Sequence, residues 1–109
     1  MDRWTVIREQ IATIVAQSEE PFEPETIQNA YDFVALTQTH CPPPAGIGKG
    51  YRPTFCIWWN DVDFEIAADR IEFYRSGEGH TDIHEHLRSP GEPFPEGLII
   101  DLPSSAGSS

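Results

Sequence analysis

Apolar residues in the first part of the chain recur every three to four positions, which is the period of an amphipathic helix. In the first such stretch, over residues 3 to 18, the apolar stripe consists of Trp4, Ile7, Ile11, Ile14 and Val15. A second stretch begins at Pro24, a residue favoured at the first position of a helix, and runs to about Thr39. Its stripe contains Ile27, Ala30, Tyr31 and Val34. We therefore predict two N-terminal helices, each with one apolar face to bury.

The hydrophobic period changes to two after residues 40 to 53, a stretch rich in proline and glycine that predicts a loop. Alternating apolar positions follow in three short segments: Phe55, Ile57 and Trp59; Val62, Phe64 and Ile66; Ile71 and Phe73. With two-residue turns at residues 60–61 and 68–69, the predicted cross-strand pairs are Trp59 with Val62, Ile57 with Phe64, Phe55 with Ile66, Ile66 with Ile71, and Phe64 with Phe73. Every pair is apolar, so this face of an antiparallel meander is expected to be the core.

A fourth strand is expected over residues 80 to 87, with an odd-length loop before it that places Ile83 opposite Phe73. Near the C-terminus, a short helical turn or edge segment is expected to pack on the core through Leu98, Ile99 and Leu102. The predicted fold class is α+β, with two N-terminal helices packed on one face of a three- to four-stranded antiparallel meander.

The length of the chain limits the number of domains, and its net charge limits the kinds of partner it can bind. At 109 residues the chain fits one domain, predicted over residues 1–103 with a disordered tail at 104–109. The 18 acidic and 7 basic residues give a net charge of -11, which disfavours direct binding to nucleic acid or to anionic membranes. No apolar run approaches the length of a membrane span, so we expect a cytoplasmic protein with Cys41 and Cys56 as free thiols.

The polar face of the predicted sheet contains a pair of like charges. The register places Glu65 directly opposite Glu72, in a row with Cys56 and, given the odd-length loop, His84. Opposed carboxylates destabilise a sheet unless a cation, a proton or a basic partner lies between them. Three sources of relief are open: an arginine on a diagonal (Arg70 or Arg75), a metal ion, or a basic partner.

The histidines of the fourth strand allow a metal-binding alternative. His80, Asp82, His84 and His86 share one face of a strand, and alternate residues stand roughly 6.6 Å apart, which suits two ligands of one metal. The alternative site combines Glu65, Glu72, His84 and His86, with Cys56 as a further candidate. A solvated polar face that happens to contain histidine explains the same pattern, and the prediction is that no metal or other cofactor is required.

Aromatic residues stand among the carboxylates of this polar face. The predicted partner-binding residues are Trp58, Asp63, Glu65, Glu72, Tyr74 and Asp82. Aromatic side chains ringed by charge are typical of a binding surface. Alternatively, the proline-rich loop or the C-terminal segment folds over Trp58 and Tyr74 and buries both rings.

Patterns of enzymes are incomplete in this chain. Residues 46–50, Gly-Ile-Gly-Lys-Gly, resemble a phosphate-binding loop, but Pro43 stands where its first glycine belongs and Gly50 where its Ser or Thr belongs. Cys41 follows His40 in a proline-rich loop, and Cys56 lies beside a glutamate rather than a histidine. We therefore predict a non-enzymatic protein.

The order of two helices, a proline-rich loop, a strand ending in Trp (residues 55–59) and an acidic/apolar strand (residues 63–66) resembles small uncharacterised bacterial α+β proteins. The resemblance covers residues 30 to 75 and implies the fold, with no established activity. Trp59 as a second tryptophan and the histidine-rich segment at 80–86 depart from that pattern.

Together these features predict an acidic interaction module that acts as an inhibitor, such as an antitoxin, immunity or phage anti-defence protein. Its partner is expected to be a basic or nucleic-acid-binding protein, engaged through the carboxylate-rich sheet face. One version is mimicry of nucleic acid, because alternate carboxylates on a strand, roughly 6.6 Å apart, have a spacing of the same order as successive phosphates. The alternative is a metal-binding protein or small metalloenzyme that uses Glu65, Glu72 and His84.

Overall fold

A computed structural model describes residues 2–77 and 79–103, with the side chain of His80 outside the description. The predicted tail at 104–109 also lies outside the described residues. The elements in chain order are α1 (Arg3–Gln17), α2 (Pro24–His40), β1 (Gly46–Lys49), β2 (Phe55–Trp58), β3 (Val62–Ile66), β4 (Arg70–Gly77), β5 (His80–Leu87) and α3 (Glu96–Asp101). The α+β class and the two N-terminal helices are confirmed.

Local signals in the sequence fix where the two long helices begin. The side chain of Asp2 caps α1 by accepting a hydrogen bond from the backbone N–H of Thr5 at 2.9 Å, and this bond lowers the pKa of Asp2. Pro24 occupies the first turn of α2, where its missing N–H costs no helical hydrogen bond. Both helices therefore start within a residue of their predicted positions.

The five strands form one antiparallel meander in the order β1-β2-β3-β4-β5. Within it, the predicted pairs Phe55–Ile66, Ile57–Phe64, Phe64–Phe73 and Ile66–Ile71 are confirmed. The N–H of Trp59 donates to the carbonyl of Val62 at 2.9 Å, which confirms the two-residue turn between β2 and β3. The alternating pattern of the central strands thus specified their register correctly.

The core lies between the helices and the apolar face of the sheet. Phe64 sits at its centre, with ring centroids 5.0 Å from Phe33 of α2, 5.3 Å from Phe73 of β4 and 5.8 Å from Trp59. Because aromatic pairs prefer tilted or edge-on contacts at these distances, this cluster joins helix and sheet with a defined geometry. Leu98 of α3 and Leu102 are buried in the same core, as expected for the C-terminal segment, whereas Ile99 is exposed and its predicted packing on the core is wrong.

The sheet has five strands rather than three or four, because part of the predicted loop at 40–53 is a strand. β1 pairs with β2, with Gly46 opposite Trp58 and Gly48 opposite Cys56. A Cβ atom at Gly46 would lie 2.4 Å from the Trp58 ring, so the glycine leaves the space in which the indole rests. The same glycines that suggested a phosphate-binding loop therefore make room for a tryptophan in a strand.

β5 exists, but its predicted phase is wrong. Gly77 of β4 pairs with His80 of β5, leaving two residues between the strands instead of an odd number. His84 consequently lies opposite Phe73 on the helix-facing side, and Ile83 lies opposite Tyr74 on the other side. The prediction assumed that Ile83 must face the core. At this edge of the sheet, however, the imidazole of His84 packs beside Phe73, with the two ring centroids 5.3 Å apart.

A buried arginine fastens the segment after β5 to α2. The guanidinium of Arg88 donates to Asn29 Oδ1 at 2.7 Å and to Asp32 Oδ2 at 2.9 Å, and it lies 4.0 Å from the centroid of the Phe94 ring. Asn29 in turn donates to the backbone carbonyls of Ala67 and Arg88, both at 3.0 Å. This network satisfies polar groups that would be costly to bury alone.

Candidate functional site

The open face of the sheet is the side opposite the helices, and the side chains on it form two parallel rows. The first, here called the aromatic row, follows the strand pairing from Trp58 through Asp63 and Tyr74 to Ile83. Trp58 is 36% exposed and Ile83 is 60% exposed. No helix of the described residues covers this face, so the aromatic row presents apolar surface to solvent.

The second row, here called the acidic row, runs beside the first from Cys56 through Glu65 and Glu72 to Glu85. The predicted opposition of Glu65 and Glu72 is confirmed. Because the two-residue connection shifts the phase of β5, Glu85 rather than His84 ends the row. Glu72 therefore has a like charge on each side, so the electrostatic repulsion in this row is greater than predicted.

Hydrogen bonds and one arginine relieve this crowding within the molecule. The hydroxyl of Thr54 donates to Glu65 Oε2 at 2.7 Å, and the hydroxyl of Tyr74 donates to Glu72 Oε1 at 2.9 Å. Arg70 Nε lies 3.6 Å from Glu72 Oε2 and 3.7 Å from Glu85 Oε2. The diagonal-arginine explanation is thus confirmed for Arg70, whereas Arg75 lies on the other face, with its guanidinium 5.3 Å from the centroid of the Phe73 ring.

The carboxylates disfavour further negative charge on this face. Burial, the hydrogen bond to Glu72 and the nearby carboxylates raise the pKa of Tyr74 to about 12. Burial, followed by the charges of Glu65 and Asp63, also raises the pKa of Cys56. At neutral pH Tyr74 is therefore a hydrogen-bond donor and Cys56 a protonated, weakly nucleophilic thiol.

A shallow groove lies where the two rows meet. Its volume is about 440 Å³, and it is lined by Cys56, Trp58, Asp63, Phe64, Glu65 and Tyr74. The indole of Trp58 forms one wall, resting against β1 at Gly46 and Gly48 while its outer edge remains accessible. The question of whether a loop buries Trp58 is thus answered: part of the predicted loop supports one side of the ring and leaves the other side free.

The structure brings together five of the six predicted partner-binding residues and separates the sixth. Trp58, Asp63, Glu65, Glu72 and Tyr74 share the open face, as expected. Asp82 pairs with Arg75 on the opposite, helix-facing side, so its assignment to this surface is wrong. The error follows from the phase of β5, since a shift of one residue moves every side chain to the other face.

The same shift separates the predicted metal ligands. Glu65 and Glu72 lie on the open face, whereas His84 and His86 lie on the helix-facing side of the sheet. A metal site composed of these four residues is therefore ruled out by the register.

Three residues of this surface were missed from the sequence, and the first is Glu85, whose place in the acidic row depends on the phase of β5. Thr54, which donates a hydrogen bond to Glu65, lies just before β2, where no sequence pattern indicates a functional residue. Ile83 was assigned to the core because it is apolar, although an edge strand exposes such a residue readily.

Comparisons with known proteins leave the functional argument to this geometry: no family model, curated protein or solved structure matches the chain. The resemblance described from the sequence thus stays a prediction.

None of the described helices has the length and apolar character needed to cross a bilayer. Cys41 and Cys56 are both free thiols, as predicted.

Proposed function

We propose that the protein is a non-enzymatic, inhibitor-like interaction module that binds a basic protein through the open face of its sheet. The observation that carries this proposal is the pairing of the two rows: apolar and aromatic side chains stand next to carboxylates on a face that no described helix covers. Protein interfaces commonly use aromatic residues as anchors, with charged residues around them.

The charge of this face supports a basic partner. Among the described residues, its two rows carry Asp63, Glu65, Glu72 and Glu85, and Arg70 lies beside them, so these five residues have a local formal charge of -3. The whole chain adds a long-range attraction, because its net charge is -11. An arginine of the partner suits the groove best, since its guanidinium can pair with a carboxylate while also stacking on Trp58.

One version of this proposal is mimicry of nucleic acid. Alternate carboxylates of one strand, such as Asp63 and Glu65, stand roughly 6.6 Å apart, a spacing of the same order as that of successive phosphates. The partner would then be a nucleic-acid-binding protein held inactive, as by an antitoxin, immunity or phage anti-defence protein. We place the complex in the cytoplasm, where the free thiols Cys41 and Cys56 persist without a bridge.

The test is capture of partners from a lysate of the native host, with variants on and off the open face compared in parallel. Asp63→Asn/Glu65→Gln and Glu9→Gln/Glu19→Gln make the same change in net charge, but Glu9 and Glu19 are exposed residues in and after α1. We expect a captured basic protein to be lost with the first pair and retained with the second. Its release should also increase with salt, since screening beyond about 8 Å weakens long-range attraction.

The aromatic row has its own control. Trp58→Ala should abolish capture, whereas Tyr51→Ala, which removes a 98% exposed aromatic side chain outside the open face, should not. Equal capture by both open-face variants and by wild type would contradict the proposal, as would direct binding of nucleic acid by the isolated protein.

A further inference from the structure

On the helix-facing side of β5, three polar side chains converge on one point. His84 Nδ1 lies 2.8 Å from Asp101 Oδ2, and His86 Nε2 lies 2.7 Å from the same oxygen. The two imidazole rings stand nearly perpendicular, with centroids 6.2 Å apart. Both histidines belong to one strand, while Asp101 ends α3, so residues far apart in sequence form the cluster.

Packing holds each of the three groups in place. The ring of His84 stacks on Phe73 at 5.3 Å with an interplanar angle of 25°, which fixes the direction of its Nδ1 atom. The side chains of His86 and Asp101 are each only 12% exposed. Gly97 of α3 lies so close to His86 that an added Cβ would be 3.1 Å from Cε1, and this close approach brings Asp101 to the strand.

The donor set matches the preferences of a transition metal. One ligand atom from each residue lies within 4.8 Å of the others. Imidazole nitrogens and a carboxylate oxygen bind Zn²⁺ at about 2.0–2.2 Å, and a tetrahedral site then separates its ligands by roughly 3.3 Å. The two nitrogen–oxygen separations are slightly shorter and must each widen by roughly half an ångström, and the two nitrogens, which lie within 4.8 Å of each other, must reach the same separation.

We propose that His84, His86 and Asp101 bind one divalent transition-metal ion of the zinc class. The three groups supply three ligands, and the side chain of His84, 51% exposed, leaves a solvent-facing position for a fourth. Because these residues lie on the opposite side of the sheet from the aromatic and acidic rows, the site is independent of the proposed partner-binding surface. It also ties α3 to β5, since Asp101 comes from one and both histidines from the other.

The test is calorimetric titration of untagged, chelator-treated protein with Zn²⁺. Wild type should bind one ion per chain. His86→Ala and Asp101→Asn should each weaken binding by more than the roughly 10- to 100-fold that follows loss of an outer-shell partner. His40→Ala, which removes an exposed histidine at the end of α2, should bind as wild type.

Two further measurements keep the result interpretable. Circular dichroism of each variant in chelator establishes that it is folded, and Asp101→Asn keeps the shape of the side chain it replaces. Substitution with Co²⁺ reports the ligands, because a nitrogen and oxygen site lacks the intense thiolate charge-transfer absorption that Cys41 or Cys56 would produce. Absence of stoichiometric binding by wild type would overturn the proposal and leave a hydrogen-bonded cluster only. Binding that survives both substitutions, or a thiolate spectrum, would equally overturn it.

Discussion

At the scale of single residues, Glu72 shows how the open face tolerates crowded charge. It faces Glu65 on one side and Glu85 on the other, and its carboxylate accepts a hydrogen bond from Tyr74 and lies near Arg70. The neighbouring carboxylates outweigh the opposing effect of burial and raise the pKa of Arg70. Since the relief comes from within the fold, the acidic row does not need a partner to be stable.

A double-mutant cycle tests this relief. Arg70→Gln removes the cation and should lower the free energy of unfolding by roughly 0.5–1 kcal/mol, a modest loss because the pair is partly exposed. Glu72→Gln keeps an acceptor for Tyr74 and should change stability by less than about 0.5 kcal/mol. In the double variant the loss should largely disappear, because the like-charge row is then interrupted. Urea unfolding of the four proteins measures the coupling, and strictly additive losses would contradict this account.

Ionisation of Tyr74 provides a pH test. Its pKa is raised from 10.0 to about 12, so the folded state favours the protonated phenol. The resulting stabilisation is fully present below the pKa of the unfolded chain and is lost as pH rises from about 10 towards 12. Ultraviolet titration should show a late tyrosinate transition that is missing in Tyr74→Phe and moves to lower pH in Glu72→Gln. An unshifted transition in Glu72→Gln would show that the carboxylate has no part in it.

At the scale of elements, the sequence predicts best where one face is apolar throughout and turns are short. β2, β3 and β4 meet both conditions, and each predicted pair within them is present. β1 was not predicted because two of its four residues are glycines, which have no side chain to show an alternating hydrophobic pattern. One of them, Gly46, instead leaves space for the Trp58 ring.

The phase of β5 was predicted wrongly because two of its inward positions hold histidines rather than apolar side chains. These histidines pair with Asp101, which is distant in sequence. No pattern local to β5 identifies Asp101 as their partner. The metal site could thus be suspected from the histidine spacing, but its composition depended on the phase of the strand and on the placement of α3.

The support that β1 gives to Trp58 can be tested with two similar substitutions. In Gly46→Ala the new Cβ would lie 2.4 Å from the indole, so the ring must move off β1, at a cost of about 1–3 kcal/mol. In Gly48→Ala the nearest indole atom is 3.6 Å away, an ordinary contact, and stability should be nearly unchanged. Thermal unfolding and tryptophan fluorescence distinguish them, because Trp4 and Trp59 are buried and exposed-type emission comes from Trp58. Equal effects of the two substitutions would contradict the close packing described here.

At the scale of the whole molecule, the sheet separates two surfaces of different chemistry. The open face carries apolar rings and an excess of carboxylates, whereas the helix-facing side carries the core and, at its edge, the histidine cluster. The segment after β5 returns to the helices, and Arg88 anchors it before α3 begins. This anchor therefore affects both the stability of the domain and the position of Asp101.

The last prediction concerns that anchor. Arg88→Met keeps an apolar stem of similar length but leaves Asn29 and Asp32 without their donor, and Arg88 is 5% exposed. Breaking a buried pair by removing one partner costs about 3–5 kcal/mol, and the partial exposure of Asp32 places this case at the lower end. Arg75→Met, the same substitution at an exposed residue, should cost less than about 1 kcal/mol, because it loses only a contact with Phe73. Urea unfolding compares the two, and similar losses would mean that Arg88 is not the anchor. If it is, the freed segment carries Asp101 away from His84 and His86, so Arg88→Met should also weaken Zn²⁺ binding while Arg75→Met leaves it intact.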